Sequence, residues 1–302
     1  MNEETGAQGP RRVTAPWLRD ARRDGRRICM ITAYDAPSAR LADAAGVDAI
    51  LVGDSIGRNA LGYPDELPVT MDDMVRATAA VRRGAQRALV ITDMPFGSYQ
   101  AGEDEAVANA IRLVKEGGAH AVKLEGAGRT LSIVERIVGL GVPVVGHVGF
   151  TPQSTNAMGG AHVQGKTRET AQAILDAARA LEAAGVFSIV LELIPAPLAR
   201  TITNSITVPT IGIGSGPHCD GQVQIWHDVL GLGGGKVYRH VRRYADVGAI
   251  IREAVSSYVL DVQGGQFPTR EHSVSMDLDE LAMLDQEPDF DKQREDIEGV
   301  AR

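Results

Sequence analysis

The segment 103–125, EDEAVANAIRLVKEGGAHAVKLE, contains one complete unit of the fold. Its first part carries apolar residues at helical spacing and closes at Gly117, where a left-handed residue can end a helix. A short apolar run then begins at Ala121 and includes the charged residues Lys123 and Glu125. Strands that are buried on both faces have near-continuous apolar sequences, so the segment predicts a helix followed by a strand of a parallel sheet.

The same alternation of helix and strand recurs along the chain. Helical patterns that close near a glycine span residues 38–45, 72–83, 103–116, 131–140 and 170–184. Apolar runs that predict strands span residues 29–35, 49–54, 88–93, 121–125, 144–148, 188–193, 210–213 and, more weakly, 229–232. Eight such strands favour an α/β fold of the (β/α)8 TIM barrel type. An open doubly wound sheet is the alternative, but no Gly-x-Gly-x-x-Gly turn follows the first strand.

The two ends of the chain differ from the segment 13–272, which we assign to a single barrel domain. Residues 1–12 are polar and predict a disordered tail, and Thr14 is expected to cap a short N-terminal helix. Residues 273–302 contain ten acidic and three basic residues, so they carry −7 of the net charge of −8. We expect this acidic C-terminal extension to be flexible or peripheral.

Composition excludes several classes of function. The body of the chain is nearly neutral once the acidic extension is set aside, which argues against binding to nucleic acid or to an anionic membrane. No apolar run reaches about 18 residues, and the first residues lack the apolar core of a signal peptide. A cytoplasmic protein is therefore expected. Cys29 and Cys219 have no spacing that suggests a zinc site or a disulfide framework.

Ionisable side chains concentrate at the carboxyl ends of the predicted strands, where barrel enzymes have their active sites. The candidate site residues are Asp54, Ser55, Asp93, Lys123, Glu125, His147 and Glu192. Charge within a buried strand is costly unless it is paired or bound to a metal. One such residue could be a structural ion pair, but this many at the same end of successive strands predict a catalytic site.

The residue types indicate enolate chemistry. Asp54, Asp93 and Glu125 are hard oxygen ligands that suit Mg²⁺, and a metal bound to an α-keto acid would stabilise the enolate. Glu192 has apolar neighbours, so desolvation is expected to raise its pKa and make it a general base. Lys123 could neutralise a substrate carboxylate or the enolate, and His147 could form a hydrogen bond to the substrate carbonyl or carboxylate. A Schiff base on Lys123 and a purely structural His147 remain the alternatives.

Longer stretches of the chain resemble the ketopantoate hydroxymethyltransferase family. The matching stretches run in family order from about residue 13 to residue 273. They include ITAYDAPSARLADAAGVDAILVGDSIG (31–57), DMPFGSY (93–99), VKLEG (122–126), VGHVGFTPQS (145–154), VLELIP (190–195) and VPTIGIGSG (208–216).

The resemblance implies a barrel of the phosphoenolpyruvate/pyruvate type with one Mg²⁺ per subunit. It implies transfer of a hydroxymethyl group from 5,10-methylenetetrahydrofolate to 3-methyl-2-oxobutanoate, giving 2-dehydropantoate, in a homo-oligomer that is typically decameric. Carried over by motif, Asp54 and Asp93 would be metal ligands, with Glu125 at or near the metal. Asp54, Ser55, Asp93 and Lys123 would hold the keto acid, and Glu192 would accept the proton.

Some positions depart from the pattern expected of that family. Arg58 and Asn59 stand where apolar residues are usual, Arg76 stands for a histidine, His162 stands for a lysine, and residues 233–243 replace a Pro-Lys-Phe stretch. These departures leave open a paralogue that acts on another α-keto acid.

Two further alternatives belong to other classes of function. The first is a metal-dependent lyase or phosphonate mutase of the same superfamily, which the cysteine-free loop GAGRTL (126–131) disfavours. The second is a non-catalytic ligand sensor, which the intact set of charged residues disfavours.

Overall fold

Eight parallel strands close into a barrel in the computed structural model, which describes residues 12–233 and 238–284. Each strand pairs with the next along the chain, and the eighth pairs with the first. The strands are β1 (Ile28–Thr32), β2 (Ala49–Val52), β3 (Leu89–Asp93), β4 (Ala121–Lys123), β5 (Val144–Gly149), β6 (Ser188–Glu192), β7 (Thr210–Ile213) and β8 (Gly221–Gln224). The predicted (β/α)8 TIM barrel is confirmed.

Helices precede, separate and follow these strands. They are α1 (Ala15–Arg23), α2 (Ala36–Ala44), α3 (Met71–Gly84), α4 (Glu103–Lys115), α5 (Thr130–Gly139), α6 (Thr155–Met158), α7 (Arg168–Ala183), α8 (Ala196–Ser205), α9 (Trp226–Leu230), α10 (Val247–Gln263) and α11 (Leu278–Ala282). The Thr14 hydroxyl accepts a hydrogen bond from the backbone N–H of Trp17, which confirms the predicted cap of α1. A single π-helical turn, Gly57–Leu61, follows β2.

Apolar side chains fill the interior of the barrel up to the carboxyl ends of the strands, where the charged residues begin. Met30, Leu51, Ile91 and Val145 belong to one buried cluster contributed by different strands. Because side chains alternate along a strand, residues two positions further on point into the same interior. The next interior layer therefore contains Asp93 and His147. Interior side chains change from apolar to charged over two residues of the same strand.

The last strand differs from its prediction. Residues 229–232 were expected to form the eighth strand, but Trp226–Leu230 is helical and the strand is Gly221–Gln224. This strand is not a continuous apolar run, because only Gly221 and Val223 are buried and its two glutamines are not. Gly221 also packs so closely on β1 that an added Cβ would lie 2.5 Å from the carbonyl oxygen of Ile28.

Contacts divide the chain into two compact units, Met1–Gly248 and Ala249–Arg302. The first unit contains the barrel. The second contains most of α10 and the short helix α11, and within it the Phe267 ring packs edge-on against Tyr258. Among the described residues, none of the helices has both the length and the apolar character needed to cross a membrane. The predictions for residues 1–12 and 273–302 fall outside the described residues, apart from Arg12 and residues 273–284.

Candidate active site

The polar end of the barrel brings together charged side chains from three consecutive strands and the residues that follow them. Asp93, Lys123, Glu125 and His147 are each 6% exposed or less. Asp93 and Lys123 are direct partners in the register of β3 and β4. These four of the seven residues singled out from the sequence therefore share one buried layer, and strand alternation accounts for their common direction.

Lys123 is the cation at the centre of this layer. Its Nζ lies 3.0 Å from Oδ1 of Asp93, 3.8 Å from Oε1 of Glu125 and 3.2 Å from Nδ1 of His147. Burial lowers the pKa of Lys123, but the surrounding carboxylates, Asp93 foremost, outweigh it and raise the pKa above its usual value. Lys123 therefore keeps its proton at neutral pH, which disfavours its use as a Schiff-base nucleophile.

The three carboxylates share a pattern in which the protein holds one oxygen of each. Oδ2 of Asp54 accepts from the Gln153 side-chain amide (2.7 Å), Oδ2 of Asp93 accepts from the Asp54 backbone N–H (3.1 Å), and Oε2 of Glu125 accepts from the Gln153 backbone N–H (3.0 Å). The other oxygens, Oδ1 of Asp93 and Oε1 of Glu125, are buried and pair with Lys123, but neither accepts a hydrogen bond of good geometry within the described part of the chain. Oxygens paired in this way keep lone pairs that a metal cation could use.

The pKa shifts show that the layer has too little positive charge. Burial raises the pKa of Asp54 well above its usual value, and repulsion from Asp93 and Glu125 adds to this effect. Burial also raises the pKa of Asp93, although Lys123 opposes it. Burial would raise the pKa of Glu125 too, but His147 and Lys123 outweigh it and lower that pKa. Three carboxylates face one lysine, so a bound divalent cation would balance the remaining charge.

The donor set fits magnesium, although it does not form a closed cage. In the described ranges, no three His, Cys, Asp or Glu side chains are arranged so that they could hold a metal ion by themselves. Mg²⁺ usually keeps several waters and takes one or two carboxylates together with substrate oxygens. Hard carboxylate oxygens with free lone pairs suit that ion better than a thiol- or imidazole-binding metal.

Glu192 stands beside this layer, joined to it by His147. Nε2 of His147 lies 3.2 Å from Oε2 of Glu192, and Nδ1 of the same ring lies 3.5 Å from Oε1 of Glu125. Burial and Lys123 lower the pKa of His147, but hydrogen bonding to the two glutamates outweighs them and raises it. The Glu192 side chain remains 18% exposed, so it can reach a substrate that enters the barrel.

The backbone after Glu192 is strained. Leu193 has a φ of 46°, and no other non-glycine residue in the described ranges has a positive φ. That region costs a residue with a Cβ roughly 1–3 kcal/mol and persists where the surroundings enforce it. The Leu193 N–H donates to the carbonyl of Ile213, and its own carbonyl accepts from the Gln164 N–H. These two bonds hold the turn that fixes the direction of the Glu192 side chain.

Ser55 follows Asp54 in the chain and contacts a buried tyrosine, Tyr34. The Ser55 hydroxyl lies 2.9 Å from the hydroxyl of Tyr34, which also accepts from the side-chain amide of Asn59 (3.4 Å). Burial raises the pKa of Tyr34 to about 12, so its phenol stays protonated and can donate. Ser55 thus lies one residue from Asp54, with its hydroxyl oriented by a neighbour that the sequence argument had not selected.

Gln153 is the main site residue that the sequence argument missed. Its amide donates to Asp54 and to the Met94 carbonyl (2.9 Å), and its Oε1 accepts from Tyr99 (2.6 Å) and Gln100 (3.1 Å). All its side-chain hydrogen-bonding capacity is used, so the amide has one favourable orientation. The available signal was its place in TPQS (151–154), just after the strand that carries His147.

The chain is similar to one family of known proteins over most of its length. A family model described as ketopantoate hydroxymethyltransferase matches residues 12–270. A protein of Carboxydothermus hydrogenoformans named 3-methyl-2-oxobutanoate hydroxymethyltransferase is 53% identical over 265 residues, covering 88% of this chain and 96% of that protein. A protein of the same name from Roseiflexus sp. is 56% identical over 257 residues, covering 85% of this chain and 92% of that protein.

Solved structures share the fold at much lower identity. A phosphonopyruvate hydrolase matches with a TM-score of 0.56 and 13% identity, covering 96% of this chain and 99% of that one. A 2,3-dimethylmalate lyase of the phosphoenolpyruvate mutase/isocitrate lyase superfamily matches with a TM-score of 0.54 and 16% identity, covering 90% and 97%. At these identities the likeness establishes the barrel type alone, so it gives no support to the lyase or mutase alternative.

Proposed function

The chain belongs to the ketopantoate hydroxymethyltransferase family, and we propose that the buried charged layer and Glu192 carry out the reaction of that family. The chain is an enzyme that transfers a hydroxymethyl group to 3-methyl-2-oxobutanoate, and its co-substrate is a methylene-tetrahydrofolate. The product is 2-dehydropantoate, and the reaction implies a role in pantothenate biosynthesis. The residue roles that follow are our proposals.

The observation that carries the proposal is the separation of two kinds of carboxylate. Asp54, Asp93 and Glu125 are buried around Lys123, whereas Glu192 lies across His147 from them and is partly open to solvent. The first group would hold one Mg²⁺ together with the keto acid. When bound, the metal would polarise the ketone and stabilise the enolate oxygen.

The substrate would be held by residues on the same side of the barrel. Lys123 offers a fixed positive charge to the carboxylate of the keto acid, and the Ser55 hydroxyl, oriented by Tyr34, offers a hydrogen bond. The Nε2 of His147 lies against Glu192, so we assign His147 to positioning the base as well as to contacting the substrate. These contacts would leave C3 of the keto acid facing Glu192.

Glu192 would then start the reaction as a general base. It removes the proton from C3, and the resulting enolate carbon forms a bond to the methylene carbon of the folate. The methylene carbon starts bonded to two folate nitrogens, and both of these bonds break: the enolate carbon replaces one nitrogen, and water supplies the hydroxyl oxygen that replaces the other. Each nitrogen keeps its electron pair and takes up a proton, one from Glu192 and one from the water. The products are 2-dehydropantoate and tetrahydrofolate.

Two properties of the family extend this proposal beyond the site. We expect a homo-oligomer, a decamer in the typical case, and a cytoplasmic location. Both rest on the family alone. Light scattering of the purified protein tests the first: a mass near ten subunits supports it, and a stable monomer contradicts it.

The test of the proposed function follows the proton on C3. The protein is incubated in D₂O with 3-methyl-2-oxobutanoate, with Mg²⁺ or with EDTA, and the C3–H signal is followed by NMR. We expect loss of that signal with Mg²⁺ and retention of it with EDTA. Adding tetrahydrofolate and formaldehyde should produce 2-dehydropantoate. An enzyme that makes product without ever exchanging C3–H, or that exchanges it equally with EDTA, would refute the proposed roles.

A further inference from the structure

A cavity lies next to the proposed keto-acid site. It has a volume of about 210 Å³ and is lined by Arg58, Glu66, His227, Asp228, Tyr238 and Arg243, among others. Asn59, which also lines it, donates to the Tyr34 hydroxyl, and that hydroxyl contacts Ser55. The Tyr34 ring also stacks on His227, with 5.6 Å between the ring centres. Tyr34 therefore links Ser55 of the proposed keto-acid site to two residues that line this cavity.

The cavity lining presents both donors and acceptors. Arg58 forms an ion pair with Glu66 (3.5 Å) and donates to the hydroxyl of Tyr238 (3.0 Å). Nδ1 of His227 is buried and makes no hydrogen bond with any part of the chain that the structure describes. A buried polar atom without a partner, at the wall of a polar cavity, indicates a place for a ligand atom.

Charges connect this cavity to the catalytic base. Burial raises the pKa of Glu66, and the charge of Glu192 contributes to that rise, so the two carboxylates lie within each other's field. Burial also raises the pKa of Asp228, against the effect of His240, His227 and the two arginines. The lining thus contains partly desolvated carboxylates, one of which is in the electrostatic field of Glu192.

We propose that this cavity receives the pterin ring of the methylene-folate, with the Asp228 carboxylate accepting from the 2-amino group and N3–H of that ring. This inference rests on the proposed function. The reactive methylene is attached directly to the pterin at N5, so the ring must sit within a few bond lengths of the keto acid. The amino group and N3–H form two parallel donors that match a carboxylate, and the ring carbonyl matches a guanidinium such as that of Arg243.

The size of the cavity agrees with one ring system and not with a whole folate. Pockets for drug-sized ligands have volumes of roughly 300–1,000 Å³, and this cavity is smaller. The benzoylglutamate part would therefore extend outside it. His227, with its free Nδ1 and its stack on Tyr34, would contact the edge of the ring nearest the keto acid.

The test separates folate binding from proton abstraction. Asp228→Asn is expected to raise the KM for methylene-tetrahydrofolate by about 10-fold or more, because a hydrogen bond to a charged group is worth roughly 1.5–3 kcal/mol. Exchange of C3–H in D₂O needs no folate, so its rate should change by less than about 3-fold. Asp65→Asn, which alters an acidic residue near Glu66 that does not line the cavity, is the matched control and should leave both values unchanged.

Two results would overturn the proposal that this cavity binds the pterin ring. An unchanged KM for the folate in Asp228→Asn, or a parallel loss of exchange, overturns the assignment of the cavity. If that variant does not fold, 6-methyltetrahydropterin is tested on the unaltered enzyme. Competition with the folate supports the proposal, and no inhibition at millimolar concentration overturns it. Failure of the unaltered enzyme to exchange C3–H at all would instead overturn the proposed function.

Discussion

The two ends of the barrel use buried and half-buried carboxylates in different ways. At the amino ends of the strands, both oxygens of Asp43 accept from the backbone N–H groups of Gln86, Arg87 and Ala88, just before β3. At the carboxyl ends, Oδ1 of Asp93 and Oε1 of Glu125 receive no backbone donor and no hydrogen bond of good geometry in the described ranges, and both pair with the Lys123 ammonium instead. The first arrangement stabilises the fold, and the second keeps oxygens available for a ligand at a cost in stability.

The pKa shifts follow the same division. Burial raises the pKa of Asp43, but its three backbone donors outweigh burial and lower it. Glu182, near the end of α7, behaves in the same way with donors from Thr207 and Val208, which lie just before β7. Burial and like charge raise the pKa of Asp54 instead. A carboxylate that the fold satisfies is thus easy to ionise, whereas Asp54 and Asp93 in the charged layer are harder to ionise. Glu125 is the exception in that layer, because His147 and Lys123 lower its pKa.

The largest expected effect contrasts two glutamates from the opposite ends. Glu192→Gln should slow C3–H exchange by about 10²–10⁴-fold, the usual contribution of a general base. Glu182→Gln removes a carboxylate far from the substrate and should leave exchange within about 2-fold, measured well below its unfolding temperature. Exchange followed by NMR in D₂O decides between them. Equal rates for both variants would remove Glu192 as the base.

A smaller effect is expected for Gln153, whose side-chain amide donates to Asp54 and whose backbone N–H donates to Glu125. Gln153→Met removes the donor to Asp54, and loss of such an outer contact usually costs about 10–100-fold in metal affinity or activity. Gln100→Met is the control, because Gln100 contacts the Gln153 oxygen but neither Asp54 nor Glu125. Mn²⁺ affinity is measured by electron paramagnetic resonance. A folded Gln153→Met protein that binds Mn²⁺ as tightly as Gln100→Met does would contradict this role.

Stability should change most at the amino ends. Asp43→Asn should lower the free energy of unfolding by about 1–3 kcal/mol at neutral pH, because several backbone donors lose a charged acceptor. The folded pKa of Asp43 is lowered, so its stabilisation is present above the unfolded pKa and is lost as pH falls through the folded pKa. Urea unfolding at pH 7 and at acid pH checks this. A difference between variant and parent that persists unchanged in acid would contradict it.

The opposite pH dependence is expected for Asp54. Its folded pKa is raised, so its contribution to stability is present below the unfolded value of about 3.9 and is lost as pH rises through the folded pKa. Asp54→Asn should remove that loss and leave the metal-free protein at least as stable as the parent at neutral pH. Unfolding in EDTA measures this. A clear destabilisation by Asp54→Asn at neutral pH would show that the carboxylate is structural.

Much of this division could be predicted from the sequence. Apolar runs that end in Asp93, or that carry Lys123 or Glu192, indicated both the barrel and the end where charge accumulates. Strand alternation then fixed which side chains face the interior. The eighth strand escaped this reasoning, because Gly221–Gln224 is only half apolar and packs through a glycine.

Other features depend on segments far apart in sequence. Gln153 contacts Asp54, which is 99 residues away, and no local pattern encodes that contact. The positive φ of Leu193 could not be predicted from the sequence either, because leucine rarely adopts a left-handed backbone conformation. The three backbone N–H groups of residues 86–88 that donate to the Asp43 carboxylate are likewise apparent only from the packed structure.

The most direct measurement of the difference between the two ends is Mn²⁺ binding to the purified, metal-free protein. We predict one tight site per chain in the presence of 3-methyl-2-oxobutanoate, lost in Asp54→Asn and Asp93→Asn and unchanged in Asp43→Asn and Glu182→Gln. A protein that binds no Mn²⁺ in the presence of 3-methyl-2-oxobutanoate, or that binds it equally well in all four variants, would contradict the account.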